Sequence, residues 1–388
     1  MIYVGIDIAC DKHNCCIIDE RKNILSEFAI ANSRDGFDLL LSEINRFDDE
    51  KSIGLEATGI YGGNLVHYLH QHNLSTVTIN PLSAKRLLNA KSLRKTKTDK
   101  TDAFGIAKLL IQEFQNPDTP ISYHTSELKS LTRLRFNMVN DRSRQKIRAK
   151  RLITMLFPEF KTLFHDTFCS TAIAVLKHYP SAKDLSRCRI NTLTNILYSA
   201  SRGRYDSSKA LQIKELAGHS IGTYSHANVM ALLCCLDLIA FYDNQIKAIE
   251  KEIADIMKNI NSTITTIPGI GTVLGAVILS EIGNIERFSN ANKLLAFAGL
   301  DPSIYQSGKF KASAGTMVKH GSPYLRNAVI QAARQIARYN DTFSVFLSKK
   351  LSEGKHYNVA VSHVAKKLVR VIFHLLSFNQ SFSDLLLT

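Results

Sequence analysis

The sequence has no C-x-x-C pair, and its apolar runs are short. Seven cysteines (Cys10, Cys15, Cys16, Cys169, Cys188, Cys234, Cys235) are odd in number and follow no metal-ligand spacing. That argues against a disulfide framework and against zinc, and for reduced, buried thiols. The best apolar stretch, "VMALLCCLDLIAFY", is interrupted by Asp237 and is short for a bilayer span. The opening "MIYVGIDIAC" reaches an aspartate at position 7, so it offers no apolar core of signal-peptide length. Neither a lipid-anchor motif nor an amphipathic basic helix is visible, which leaves no membrane partner. The expectation is a cytoplasmic protein.

Acids become scarce past residue 84. Residues 1–84 hold six Lys/Arg against twelve Asp/Glu, a net of −6; with the chain at +15, residues 85–388 carry +21. A basic excess of that size over a long region favours a polyanion as partner. With 388 residues, 45% hydrophobic, the chain can bury two or three cores.

One stretch puts carboxylates inside the cations. In "KTKTDKTDAF", residues 95–104, Asp99 and Asp102 stand among Lys95, Lys97 and Lys100, with Lys85, Arg86, Lys91 and Arg94 just upstream. A solvated helix start accounts for this, since Thr98 and Asp99 suit a cap and acids suit a first turn. A metal ion held by the carboxylates, with phosphates held by the cations, accounts for it too.

The elements around this stretch favour the second account. "IYVGIDIA" reads as a strand carrying Asp7, and "NCCIIDE" and "SEFAIA" follow at hairpin distances. In "SRDGFDLLLSEINRF", Phe37, Leu40, Leu41 and Ile44 recur at helical spacing. "KSIGLEATG" is a fourth strand with Glu56, "GNLVHYLHQHN" a helix, "STVTINP" a fifth strand, and a third helix runs from about Thr98 through "DAFGIAKLLIQEF". Three strands, helix, strand, helix, strand, helix is the order of the ribonuclease-H-like fold. In that layout the first and fourth strands are neighbours at the sheet centre, so Asp7 and Glu56 converge. Asp99 and Asp102, at i and i+3, share a helix face and join them. Four carboxylates together call for a cation, and hard oxygen ligands favour magnesium, with manganese as substitute. Two such ions suit phosphoryl transfer.

These blocks carry a family resemblance. "GIDIACDKH", "LEATGIYGGNLVHYLHQHNLSTVTINP" and "KTDKTDAFGIAKLL" resemble the signature blocks of the DEDD-type transposases, the insertion-sequence-110 family that includes the Piv-like DNA invertases. The resemblance implies a RuvC-like metal site at Asp7, Glu56, Asp99 and Asp102.

The middle of the chain reads as helical. "TSELKSLTRLRFNMVNDRSRQKIRAKRLITMLFPEF" combines apolar positions with a basic band of Arg142, Arg144, Lys146, Arg148, Lys150 and Arg151. The band is either an exposed helix face or a phosphate contact, for which Arg142, Arg144 and Arg148 are the candidates. Ile239, Tyr242, Ile246, Ile249, Ile253, Ile256 and Ile260 form a heptad seam of coiled-coil type, pairing within the chain or between chains. Between these helices "SASRGRYDSSKA" reads as a loop, and residues 160–235 match nothing in the family.

Further on, Pro268-Gly269-Ile270-Gly271 reads as a tight turn opening a helix; Gly269 and Gly271 could present amides to phosphate, as in a helix-hairpin-helix. Ser307 precedes Gly308 among Lys309, Lys311, Lys319, His320 and Arg326. A serine there can attack phosphate if its proton is removed and the pentavalent charge is stabilised. "IPGIGTVLGAVILSEIG", "FAGLDPSIYQSGKFK" and "KHGSPYLRNAVIQAA" resemble the second conserved domain of the same family, whose nucleophilic serine matches Ser307.

The expected architecture is an α/β N-terminal domain of ribonuclease-H or RuvC-like type with a mixed five-stranded sheet (1–122), a basic helical, coiled-coil connector (123–262), and a mainly α-helical C-terminal domain (263–388). The expected nucleic-acid contacts are Lys91, Arg94, Lys95, Lys97, Lys100, Arg142, Arg144, Arg148, Gly269, Gly271, Lys309, Lys319 and Arg326. The leading functional reading is a magnesium-dependent DNA recombinase moving or inverting a mobile element through Ser307. The resemblance further implies a bridging RNA and a homo-oligomer, dimer or tetramer, in which the metal domain of one subunit meets the serine domain of another. A structure-selective nuclease using the four acids and water leaves the serine domain unexplained. A non-catalytic binding protein leaves the four intact acids unexplained.

Overall fold

The computed structural model describes residues 1–56, 61–79, 99–112, 123–302, 306–307, 310–311 and 317–383. The chain divides into two compact units, Met1–Ser122 and Tyr123–Thr388.

The first unit is built on a five-stranded sheet of order β3-β2-β1-β4-β5. β1 (Ile2–Asp7), β2 (Lys12–Ile18) and β3 (Ile24–Ala31) form an antiparallel meander, and β4 (Lys51–Glu56) and β5 (Thr76–Ile79) add in parallel beyond β1. This is the ribonuclease-H-like order. β1 and β2 are buried along nearly their whole length, as central strands covered on both faces must be. On one face Val4, Ile6, Cys15, Ile17, Ile53 and Leu55 pack with residues of α1 (Arg34–Asn45) and α2 (Gly63–Gln71). Ser33 starts α1 by accepting a hydrogen bond from the Gly36 amide at 3.3 Å. The other face is covered by α3 (Asp99–Gln112), whose Ala103 and Ala107 pack with Cys16 and Ile18, and whose Ile106, Leu109 and Leu110 pack with Val77 and Ile79.

The second unit is helical around a pair of 34-residue helices, α4 (Tyr123–Leu156) and α9 (His226–Asn259), packed along one another. Four shorter helices lie between them in sequence: α5 (Ser170–His178), α6 (Ala182–Arg187), α7 (Ile190–Ser201) and α8 (Ser207–Gly218). Phe157, Phe160, Leu176, Leu185, Leu193, Leu197 and Ile213 form their core together with Leu232, Leu236 and Ile239 of α9. The loop expected over "SASRGRYDSSKA" is therefore much shorter. α7 continues to Ser201, Arg202 takes the left-handed cap at φ 58°, and Asp206 caps α8.

The heptad seam is paired within the chain. Ile249 and Ile253 share a core with Leu128 of α4, and Arg135–Glu250 (2.6 Å) and Arg142–Asp243 (2.5 Å) flank the pair. The apolar run read as short for a membrane extends into α9, which by length and composition could cross one. Its Val229, Leu232, Cys235, Leu236 and Ile239 are buried in the apolar cluster instead.

After α9 come α10 (Thr272–Ile282), α11 (Ala291–Phe297), the short pair β6 (Gln306–Ser307) and β7 (Phe310–Lys311), then α12 (Pro323–Tyr339), α13 (Asp341–Ser352) and α14 (Tyr357–Ser377). Packing runs across residue 262, because Ile249, Ile253 and Met257 of α9 join one cluster with Ile278, Val329, Ile336 and Leu368.

Candidate active site

Two glycines bring α3 onto the sheet. Gly5 and Gly54 are register partners on β1 and β4. A β-carbon on Gly5 would meet the Ala103 carbonyl oxygen and the Ala107 amide nitrogen, and one on Gly54 would meet the Leu110 side chain. Only glycine lets a helix backbone lie this close to a strand. Tyr3 packs against both apolar clusters that α3 makes with the sheet, and Ala103, early in α3, lies over Gly5. The first half of α3 is thus held over Gly5, two residues from Asp7 on the same strand.

Side chains two apart on a strand share a face, so Asp7 lies on the same face as Gly5, toward α3. Asp102 immediately precedes Ala103, and Asp99 lies about one turn, or 5 Å, further toward the helix N-terminus. β4 runs parallel to β1 with Ile6 opposite Leu55, so the following residues, Asp7 and Glu56, end adjacent central strands. Asp7 and Asp102 are half-buried. The side chains of Glu56 and Asp99 lie outside the described residues; Glu56 ends β4 next to the end of β1, and Asp99 begins α3. Among the described residues no three His, Cys, Asp or Glu side chains converge. Among the described residues, the carboxylates on the α3 face here are those of Asp7 and Asp102, oxygen donors of the kind a hard cation such as magnesium takes.

The sequence reading missed Asn14. It pairs directly with Asp7 across the β1–β2 ladder, is 9% exposed, and lies on the α3 face with Cys16 and Ile18. A carboxamide in an otherwise apolar strand face was the available signal. Its neighbour His13 points the other way, stacked on Phe37, with Nδ1 accepting from the Ala9 amide at 3.4 Å and a buried, unpartnered Nε2. Burial pushes its pKa down. The cysteines are all free, with Cys10 and Cys234 exposed. Burial raises the Cys16 thiol to about 11 and the Cys15 thiol further, so both are inert packing groups.

In the second unit, Ser307 lies on β6 and pairs with Phe310 of β7. The base of this segment is pinned by the Pro302–Met317 bridge, by Val318 N to Asp301 O (2.9 Å), and by Ser322 N to Phe297 O (2.9 Å). Ser322 also caps α12, and its hydroxyl donates to Glu281 Oε2 at 2.8 Å. Glu281 is 2% exposed and receives Arg133 of α4 through two bonds, Nε to Oε1 at 2.6 Å and Nη2 to Oε2 at 3.0 Å. Arg133 in turn lies over the Tyr324 ring at 4.7 Å. Burial pushes the Glu281 carboxyl up, but the bonds from Arg133 and Ser322 and the nearby Arg133 and Lys129 charges outweigh it, and the pKa is lowered. The acid within "TVLGAVILSEI" was the sequence signal for this network.

The other expected contacts divide. Arg142 is engaged with Asp243, so it serves the α4–α9 pairing; Arg144 pairs with Asp141, and both Arg144 and Arg148 are exposed. Lys319 is exposed at φ 56° and its carbonyl accepts from Arg326 Nη1 at 3.2 Å. Gly269 sits at φ 83°, and Gly271 precedes α10 without a side-chain cap, so the turn-and-helix reading holds for this stretch. A 3-10 turn, Thr263–Thr266, precedes it. Lys91, Arg94, Lys95, Lys97, Lys309 and the Lys100 side chain lie outside the described residues.

A family model described as "Transposase" (DEDD_Tnp_IS110) matches residues 4–158, and one described as "Transposase IS116/IS110/IS902 family" matches residues 261–348. The chain belongs to the IS110 family of transposases. A 44.8 kDa protein of insertion element IS116 from Streptomyces clavuligerus is 24% identical over 98% of this chain and 96% of its own length. The pilin gene-inverting protein of Moraxella lacunata is 23% identical over 98% and 97%. Among solved structures, T. thermophilus RuvC in complex with Holliday junction substrate is matched at 15% identity over 28% of this chain and 90% of that one, with a TM-score of 0.23. The two matched segments of this transposase contain the four acids and Ser307, respectively.

Proposed function

We propose that this transposase cuts and rejoins the DNA of a mobile element, with Asp7, Glu56, Asp99 and Asp102 forming a magnesium site and Ser307 acting as nucleophile. The observation that carries the reading is the arrangement at the end of β1. There Asp7, the end of β4 and the N-terminus of α3 with Asp102 meet on one side of the sheet. Magnesium, when bound, would neutralise phosphate charge there. Ser307 Oγ attacks phosphorus, the Oγ–P bond forms as one P–O bond of the strand breaks, and the serine proton passes to a carboxylate or to water while the departing oxygen is protonated. Rejoining reverses these bonds with a different strand end. Arg144, Arg148, Lys319 and the cations of residues 91–100 hold backbone phosphates, supported by the +21 charge past residue 84. The relative named as a pilin gene-inverting protein supports the reading, since inverting a gene requires DNA to be cut and rejoined. A bridging RNA and a homo-oligomer belong to the same reading.

The test is covalent attachment. Denaturing gels of purified protein with labelled donor DNA, with and without the RNA transcribed beside the gene, are expected to show an adduct. That adduct should vanish in Ser307→Ala, in Asp102→Ala and with chelator. Cleaved ends free of protein, unaffected by Ser307→Ala and lost in Asp102→Ala, would establish a metal-dependent nuclease instead.

A further inference from the structure

α12 contains no acid. Its seventeen residues, "PYLRNAVIQAARQIARY", bury Leu325, Ala328, Val329, Ala332, Ala333, Ile336 and Ala337 on one side. The other side exposes Asn327, Gln331, Arg334 and Arg338, with Gln335 half-buried beside them. An ordinary solvated face mixes carboxylates with its arginines. Here the polar partners of the arginines are a backbone carbonyl, Lys319 O, for Arg326 and a carboxamide, Asn358 Oδ1, for Arg334.

Asn327, Gln331 and Gln335 fall at i, i+4 and i+8, one straight row of carboxamides, and Gln331 donates to Asn327 at 2.5 Å. The row lines an open groove of about 340 Å³ together with Ile330 and Arg334. The Pro268–Gly271 turn closes against the row, since a β-carbon on Gly269 would lie 2.7 Å from Gln335 Cβ. The start of α10, which follows this turn and has no side-chain cap, therefore lies near the same surface. Ser322, fifteen residues after Ser307 in the sequence, caps α12.

We propose that the solvent face of α12 seats duplex DNA, with Asn327, Gln331 and Gln335 toward base edges and Arg334 and Arg338 toward the flanking phosphates. The deduction rests on the recombinase reading above and adds to it the surface that presents the duplex to the serine segment. Charge selects a polyanion, because a face of arginines and carboxamides without an acid repels no phosphate. Shape selects B-form DNA: its major groove admits a helix and offers donor–acceptor pairs that match carboxamides, whereas the A-form major groove is too narrow for side chains to read.

The experiment uses the full chain and the triple variant Gln331→Ala/Arg334→Ala/Arg338→Ala, with fluorescence anisotropy on a mixed-sequence DNA duplex and on single-stranded RNA of equal length. All three side chains are exposed, so the fold is retained. The expected result is weaker duplex binding, with a salt slope shallower by about 2, and unchanged RNA binding. Gln331→Glu, which places one acid in the row, is expected to weaken duplex binding by roughly tenfold without moving the melting temperature. Unchanged duplex affinity and slope in both variants would overturn the inference. So would equal losses on both polymers, or a loss confined to RNA. Covalent adduct formation by the wild type separates this outcome from failure of the recombinase reading: an adduct-forming protein whose α12 variants bind duplex normally refutes only the role of α12.

Discussion

The β-carbon that Gly5 lacks would fall 2.1 Å from the carbonyl oxygen of Ala103. Backbone touches backbone at that point, so no rotamer change can make room. The contact fixes the distance of α3, which carries Asp102, from β1, which carries Asp7. Gly5→Ala is expected to destabilise the first unit by about 3 kcal/mol, at the upper end of overpacking costs. It should also lower magnesium affinity in the molecules that still fold. Urea unfolding with and without magnesium measures both; a wild-type midpoint would show that α3 has slack over the sheet.

Carboxylates gathered for a cation repel when the cation is absent. Asp7→Asn and Asp102→Asn are therefore expected to leave the metal-free melting temperature unchanged or raised. Magnesium should raise the wild-type melting temperature, with about 2.7 kcal/mol of stabilisation at a hundredfold excess over Kd. Each variant should lose most of that increment. A full magnesium response in Asp7→Asn would remove this aspartate from the ligand set.

His13 supplies an acid-labile point on the opposite face. Its folded pKa lies below the unfolded value of 6.5, because burial disfavours the charged ring. The unfolded chain thus binds the proton more readily, and stability falls as the pH drops below 6.5 and through the folded pKa. His13→Phe, which keeps a ring against Phe37, is expected to flatten the stability profile between neutral and mildly acidic pH. A parallel profile for the variant would mean that His13 is not the titrating group.

Much of this arrangement was legible in the chain itself. Asp7 in an apolar strand, Glu56 ending another and Asp99–Asp102 opening a helix gave the order of elements, and the structure has that order, with β1 and β4 adjacent and α3 packed on them. Local patterns carry that information because period and turn chemistry act within a few residues. The carboxamide of Asn14 was visible in the sequence but its place beside Asp7 was not, since that depends on the register that pairs the two. The partner of Arg142 was hidden for the same reason: a basic residue on a helix shows its charge in sequence, and only the packing of α9 reveals Asp243 opposite it. The pairing of Arg133 with Glu281 spans 148 residues and leaves no local trace beyond an acid in an apolar helix.

That last pair yields a prediction with a definite pH sign. Glu281 is buried and doubly bonded by Arg133, and Ser322 adds a third bond while starting α12. Its folded pKa lies below the ordinary 4.5, so its contribution is complete above that value and is lost as the pH falls through the folded pKa. Glu281→Gln keeps the volume but removes the charge that Arg133 faces. The Arg133 side chain is 41% exposed and can relax toward water, which lowers the cost of breaking a buried pair to about 2 kcal/mol at neutral pH. Ser322→Ala removes one bond and the helix cap together, for about 1 to 2 kcal/mol. Urea unfolding at neutral pH and again in acid distinguishes the two variants. The Glu281→Gln deficit should shrink in acid, where the wild-type carboxyl is itself protonated, while the capping part of the Ser322→Ala deficit persists. A Glu281→Gln deficit that stayed constant into strong acid would mean that packing, not the charge on Glu281, holds α4, α10 and the start of α12 together.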